Sequence, residues 1–266
     1  MTVVPSAVIV QRVTQAESRY TRSRLEVLAK LPGNPVGVEV REQGDVLALS
    51  AKYLPHWGFN RVVGLTEGQV EWVGDLTKWY RDRQIDGVFE VIPGQSSEIL
   101  AQALAKSGYA HTGFHAALVA DPAEAPTPAR GVSVEAVTVK TLDVFLETHC
   151  KGWNIPNPQG FKANVWGWLH EPGWYLYLGR HEGRPAGSAI LFQFGRTGYC
   201  ADAAADPAFR GRGVHAALLH HRLAEAGRLG CDLVCSMAEF LSTSHRNMIR
   251  AGFGLLHTKA IWTRLP

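Results

Sequence analysis

The run Tyr199-Cys-Ala-Asp-Ala-Ala-Ala-Asp-Pro-Ala-Phe-Arg-Gly-Arg-Gly-Val-His-Ala-Ala-Leu-Leu219 joins three local signals. A strand of small residues ends at Asp206-Pro207. A basic, glycine-rich turn follows at Arg210-Gly-Arg-Gly213. A helix then opens at Val214-His215-Ala216 with little side-chain bulk. The first N–H groups of a helix have no internal partner and carry the positive end of its dipole. Glycines let the backbone approach phosphate oxygens closely. Arg210 and Arg212 add charge, and the segment suits a diphosphate. Two rival phosphate loops fail on inspection. Gly-x-x-x-x-Gly-Lys-Ser/Thr does not occur, and Gly211-Arg-Gly213-Val-His-Ala216 ends in Ala. A dinucleotide fingerprint also needs an acid that closes a strand about 20 residues on. Asp232 stands at that distance but opens its strand.

On both sides of this run the pattern alternates strand and helix. In the second half, strands are predicted at Ser133–Ala136, Trp174–Arg180, Ala186–Phe194, Gly198–Ala205, Asp232–Met237 and Leu255–Trp262. Helices are predicted at Thr141–Lys151, Phe161–His170, Gly213–Leu229 and Ser244–Ala251. His181-Glu-Gly-Arg-Pro185 reads as a hairpin turn. The order β-α-α-β-β-β-α-β-α-β is an α/β layer fold. The first half gives a shorter series. Helices are expected at Gln15–Leu31, Gln69–Arg83 and Ser96–Ser107. Strands are expected at Val36–Arg41, Val46–Leu49, Gly87–Ile92 and Tyr109–Val119. The Pro- and Ala-rich segment Val119–Gly131 reads as a linker. Two stretches echo each other. Each runs strand, helix, then a basic residue, a small residue, Gly and an aromatic, at Lys106–Tyr109 and Arg250–Phe253. This suggests an internal duplication.

The chain has 266 residues, 46% of them hydrophobic and 19% charged, enough for a core in each half. Net charge is +3 with Lys and Arg dispersed, so a nucleic-acid partner is not expected. No apolar run approaches the roughly 20 residues of a membrane span. The start shows no signal peptide, and the cytoplasm is the default address. The four cysteines, Cys150, Cys200, Cys231 and Cys235, form no Cys-x-x-Cys pair, so no metal site is expected.

With these residues in view, Asp206-Pro-Ala-Phe-Arg-Gly-Arg-Gly-Val-His-Ala-Ala-Leu-Leu resembles the acyl-CoA-binding motif of the GNAT superfamily of N-acyltransferases. Arg210, Gly213 and the position of His215 match in order. His215 departs from the usual Gly or Ala. Ser242-Thr-Ser-His-Arg-Asn-Met-Ile-Arg-Ala-Gly-Phe253 resembles the family's final helix. The resemblance implies two tandem GNAT-like α/β domains, each a mixed, mostly antiparallel twisted sheet flanked by helices. The division would be 1–120, a linker at 121–131, and a catalytic domain at 132–266. The first domain lacks Arg-x-x-Gly-x-Gly and reads as a degenerate copy. The implied reaction moves an acyl group from acetyl-CoA or another acyl-CoA to an amine of a small molecule or peptide, in a monomer or homodimer. The rivals are a non-catalytic acyl-CoA-binding or regulatory protein, and a transferase using a carrier-protein-bound acyl donor.

The resemblance also distributes roles. Ala203, Ala204 and Ala205 would hydrogen-bond the pantetheine arm through their backbone. Arg210, Gly211, Arg212, Gly213, Val214, His215 and Ala216 would hold the diphosphate, with Asn247 beside the cofactor. Many family members place an acidic Tyr four residues before the Gly of Gly-Phe. Here that position is Met248, which donates no proton, so Ser244 and His245 are the candidate acids. Tyr199 and Asp202 are the candidate bases. By period two, Tyr199 shares a face with Ala201, Ala203 and Ala205, and Asp202 takes the other. His149, Trp153, Trp166 and Trp168 either line an acceptor pocket or pack the core.

Overall fold

The computed structural model describes residues 5–54, 56–155 and 158–265. In chain order the elements are α1 (Ala7–Ala29), β1 (Val38–Gln43), β2 (Val46–Ala51), β3 (Arg61–Val63), α2 (Trp72–Asp82), β4 (Val88–Val91), α3 (Glu98–Lys106), β5 (Tyr109–Ala120), β6 (Val132–Ala136), α4 (Leu142–Trp153), α5 (Pro158–His170), β7 (Trp174–His181), β8 (Arg184–Phe194), β9 (Thr197–Ala205), α6 (Val214–Arg228), β10 (Leu233–Glu239), α7 (Thr243–Arg250) and β11 (Gly254–Arg264). Every predicted element is present, with boundaries shifted by a few residues. The largest shift is at α1, which starts at Ala7 rather than Gln15. One strand was missed. β3 is three residues long and carries a buried Arg61, so neither length nor alternation marks it.

The chain forms two compact units. One holds Ala117–Leu256 together with the chain up to Tyr20. The other holds Thr21–Ala116 and His257–Pro266. This differs from a linear division at residues 120 and 132: both ends of the chain belong to the unit opposite in sequence.

In the C-terminal unit the sheet runs β10-β9-β8-β7-β6. β6, β7, β8 and β9 pair antiparallel, and β9 pairs parallel with β10. The β7–β8 turn has positive φ at Glu182 and Gly183, 49° and 75°, the pattern of a two-residue hairpin whose twist suits the strands. α6 packs on one face, where glycines make room. A Cβ on Gly179 or Gly187 would stand 2.8 or 2.9 Å from Val214 Cγ1. α4 packs on the other face: a Cβ on Gly152 would stand 2.5 Å from that of Ala204. That face also carries an aromatic stack. Trp168 lies parallel to Trp174 at 5.0 Å, and Trp174 meets Phe192 and Tyr20. The four cysteines are buried and unbridged.

In the N-terminal unit the sheet runs β1-β2-β3-β4-β11, with β3 and β4 parallel and the other pairs antiparallel. Its core gathers Leu76, Tyr80, Phe89, Leu100 and Leu104. A charged group is buried there too. Arg61 donates to Glu90 at 2.7 Å, and Lys259 donates to the other carboxylate oxygen. Burial pushes the Glu90 carboxyl up, but the Arg61 and Lys259 charges overcome it and leave it lowered to about 2.

The sequence echo has a structural basis. The chain carries β4-α3-β5 and β10-α7-β11 in the same order. In each, a glycine closes the helix with positive φ, 85° at Gly108 and 95° at Gly252. This is the helix-ending role for which glycine alone has no Cβ penalty. The following Tyr109 and Phe253 are buried.

Candidate active site

The run that opened the sequence reading folds as one device. β9 ends at Ala205, and Asp206 starts a short 3-10 turn over Pro207–Phe209 by accepting from the Ala208 N–H at 2.9 Å. Gly211 and Gly213 follow with φ of 77° and 80°, and Gly213 is the N-cap of α6. Among the described residues, the N–H groups of Gly211 through Ala216 have no protein partner. No acidic residue stands in the first turn of α6. The matching helix of the other unit, α2, opens with Glu71 as N-cap and Asp75 in its first turn. Carboxylates there repel an anion, and the first turn of α6 has none.

Beside this loop, β9 is broken by a bulge. Ser188 pairs with Ala204 and Ile190 with Ala201, so Ala189 faces both Asp202 and Ala203. Asp202 takes a φ of 38°, a left-handed value that non-glycine residues seldom adopt. The parallel pairing to β10 ends just before the bulge, at Ser236↔Cys200, although β9 and β10 run on to Ala205 and Glu239. The far end of β9 therefore leaves its neighbour. A cleft of about 490 Å³ opens there, lined by Ala203–Ala205, Arg210, Gly211, Gly213–Ala216, Ser244 and Asn247. Every predicted cofactor residue except Arg212 lines it. Sequence reasoning missed Gly152, Phe209, His220, Thr243 and Arg250. Arg250 was visible only as part of the Gly-aromatic signature, and it donates to Asn247 Oδ1 at 3.0 Å. Among the described residues, no Asp or Glu lines the cleft.

His215 lies in this lining, and burial followed by the Arg222 charge holds its imidazole down to about 4. It is neutral at pH 7, and its Nδ1 has no partner among the described residues.

The bulge corrects the period-two reading of β9. Before it, odd positions face α4 and α5: Tyr199 packs on Tyr20 at 5.1 Å, within the aromatic stack. After it, an even position does: Ala204 faces Gly152 of α4. Asp202 does not point away from Tyr199. Its carboxylate accepts from the Tyr20 hydroxyl at 2.5 Å, and the Tyr20 ring lies against Tyr199. The structure thus gathers Tyr199, Asp202 and Tyr20, a residue no local pattern could have flagged.

On α7, Ser242 rather than Ser244 is the N-cap, accepting from the His245 N–H, and Ser244 lines the cleft. His245 is buried against Phe240 and stays out of the lining, and Met248 is buried. Of the four α4–α5 aromatics, Trp153 is half exposed and lines the cleft. His149 is buried, stacked on Phe161 and Phe145, with Nδ1 3.1 Å from Ser188 Oγ. Trp168 is fully buried in the stack. Trp166 is at the surface beside His170.

Residues 142–253 match the family model described as Acetyltransferase (GNAT) family. The chain carries a GNAT acetyltransferase domain. N-acetyltransferase function, with acyl-CoA as cosubstrate and an amine as acceptor, follows in general terms from that match. Among solved structures, a GCN5-related N-acetyltransferase from Kribbella flavida superposes with a TM-score of 0.66 at 15% identity, covering 94% of this chain and 95% of that one. One from Sphaerobacter thermophilus gives 0.63 at 16% identity, covering 85% and 75%. A tandem GNAT protein from the clavulanic acid biosynthesis pathway gives 0.62 at 13%, covering 98% and 97%. At these identities the likeness speaks for the fold: two tandem GNAT-like domains. No curated protein matches the chain. The GNAT domain includes the whole loop, the bulge and α7. No helix among the described residues is long and apolar enough to cross a membrane.

Proposed function

We propose that the protein transfers an acyl group, most simply acetyl, from acyl-CoA to an amine of a small molecule or peptide. The observation that carries this reading is the cleft in which the unpartnered N–H groups of Gly211–Ala216 adjoin the released edge of β9. The N–H groups, with Arg210, would hold the diphosphate, and the Ala203–Ala205 backbone would run beside the pantetheine arm. The amine attacks the thioester carbonyl, and the tetrahedral oxyanion needs N–H donors such as an unpaired strand edge supplies. Asp202, which precedes Ala203 on the strand and stays out of the cleft lining, is the proposed base, with Tyr20 orienting it and Tyr199 alongside. Collapse of the intermediate breaks the C–S bond and releases CoA; with Met248 in the position of the usual acid, Ser244, which lines the cleft, is the proposed α7 hydroxyl to protonate the departing thiolate.

That same buried Met248 favours a second reading, an acyl-CoA-binding protein without turnover. Free-thiol release from acetyl-CoA with a panel of amines separates the two. Amine-dependent release supports transfer. Tight acetyl-CoA binding with no release by any amine supports the second reading. A carrier-protein donor would show as weak binding of free acetyl-CoA with transfer from the carrier.

A further inference from the structure

Arg222 lies in the middle of α6 and is 1% exposed, and no carboxylate pairs with it among the described residues. A buried cation ordinarily sits against an acid. This one is held by main-chain oxygens. Its Nε donates to Leu218 O at 3.0 Å, and its Nη1 donates to Ile190 O at 3.0 Å and Ala201 O at 3.1 Å. Nη2 has no partner among the described residues. Ile190 and Ala201 are the β8–β9 pair next to the register shift. A bulge disrupts the ladder around it, and the guanidinium serves carbonyls on both strands at that point. Asp202, the next residue, is the one held at positive φ.

We infer that Arg222 is a positioning residue: it locks the bulge at Asp202 and thereby sets how Ala203–Ala205 face the cleft. A leucine or methionine would fill this space without the cost of burying a charge. It would also leave two carbonyls unserved, and β9 would be free to resume regular pairing with β8 and β10. Arg222 touches no cofactor in this scheme and acts only through the strand. The functional half of the inference rests on the cleft taking acyl-CoA.

The test compares Arg222→Met, which keeps length and removes every donor, with Arg222→Lys, which keeps charge. Leu223→Ala, a buried neighbour on the same helix, is the control for destabilisation alone. Two quantities are read well below each melting temperature: the acetyl-CoA Kd by calorimetry, and hydrogen exchange at Ala201–Ala205 without ligand. We expect Arg222→Met to raise Kd at least tenfold, about 1.4 kcal/mol, and to speed exchange over Ala201–Ala205 at least tenfold. Arg222→Lys should recover part of both, and it carries the comparison if the Met variant does not fold. Leu223→Ala should lower the melting temperature and leave Kd within twofold. Arg222→Met with native Kd and exchange, or Leu223→Ala with equal losses, would overturn the inference. Wild-type protein that binds no acetyl-CoA would sink the reading of the cleft instead, and the exchange rates would still decide the role in the bulge.

Discussion

Asp202 carries the most chemistry for its size: a left-handed backbone, a bulge, and a carboxylate on Tyr20. If it is the base, Asp202→Asn should lower kcat by about 10²-fold or more and leave acetyl-CoA affinity unchanged; an unaltered kcat would remove it from the mechanism. Tyr20 lies 182 positions from Asp202, so no motif could announce the pair. The loop residues, by contrast, were legible one by one, because glycine, arginine and a helix start are local signals. His215 offers a test of pH dependence. Its ordinary pKa of 6.5 falls to about 4 in the fold. The unfolded chain then takes up a proton in that window that the folded chain refuses. Stability present above pH 6.5 is lost as pH falls through the window, by about 2 kcal/mol at pH 5. Melting curves at pH 7 and pH 5 should show a smaller acid loss in His215→Ala than in the wild type. Equal losses would mean that His215 is not the group responsible.

Among the elements, close approach at glycine is what brings helix and strand together around the cleft. Gly152 lets α4 rest on β9 at Ala204. Gly152→Ala should push the two apart, cost about 1–3 kcal/mol as an overpacked contact, and weaken acetyl-CoA binding. A variant with native stability and affinity would show that the contact adjusts freely. Helices and strands were readable from periodicity because most have one buried face. What failed was the face assignment along β9: a bulge inverts every later side chain, and nothing in Cys200-Ala-Asp-Ala-Ala marks one. α4 and α5 were readable as helices, yet their aromatics divided among core, surface and cleft, a division set by tertiary packing rather than by spacing. The repeated basic-small-Gly-aromatic signature was readable because it is a helix cap, with its own backbone demand at Gly108 and Gly252.

For the molecule as a whole, two related units keep the same architecture with different contents. The C-terminal one has an anion-ready helix start. The N-terminal one holds the buried Arg61–Glu90–Lys259 group. Glu90→Gln would remove the carboxylate that Arg61 and Lys259 share and should cost about 3–5 kcal/mol, read by denaturant unfolding. A loss under 1 kcal/mol would mean that the group relaxes or hydrates at little cost. Duplication was legible, whereas membership of the two units was not. The chain ends change sides, and composition marks only the Pro-rich segment near the middle. The greatest risk to the functional account comes from solving the protein with acetyl-CoA bound. We expect diphosphate oxygens within hydrogen-bonding distance of N–H groups between Gly211 and Ala216, and the pantetheine arm along Ala203–Ala205. A cofactor seated elsewhere, or those N–H groups engaged by protein atoms, would contradict it.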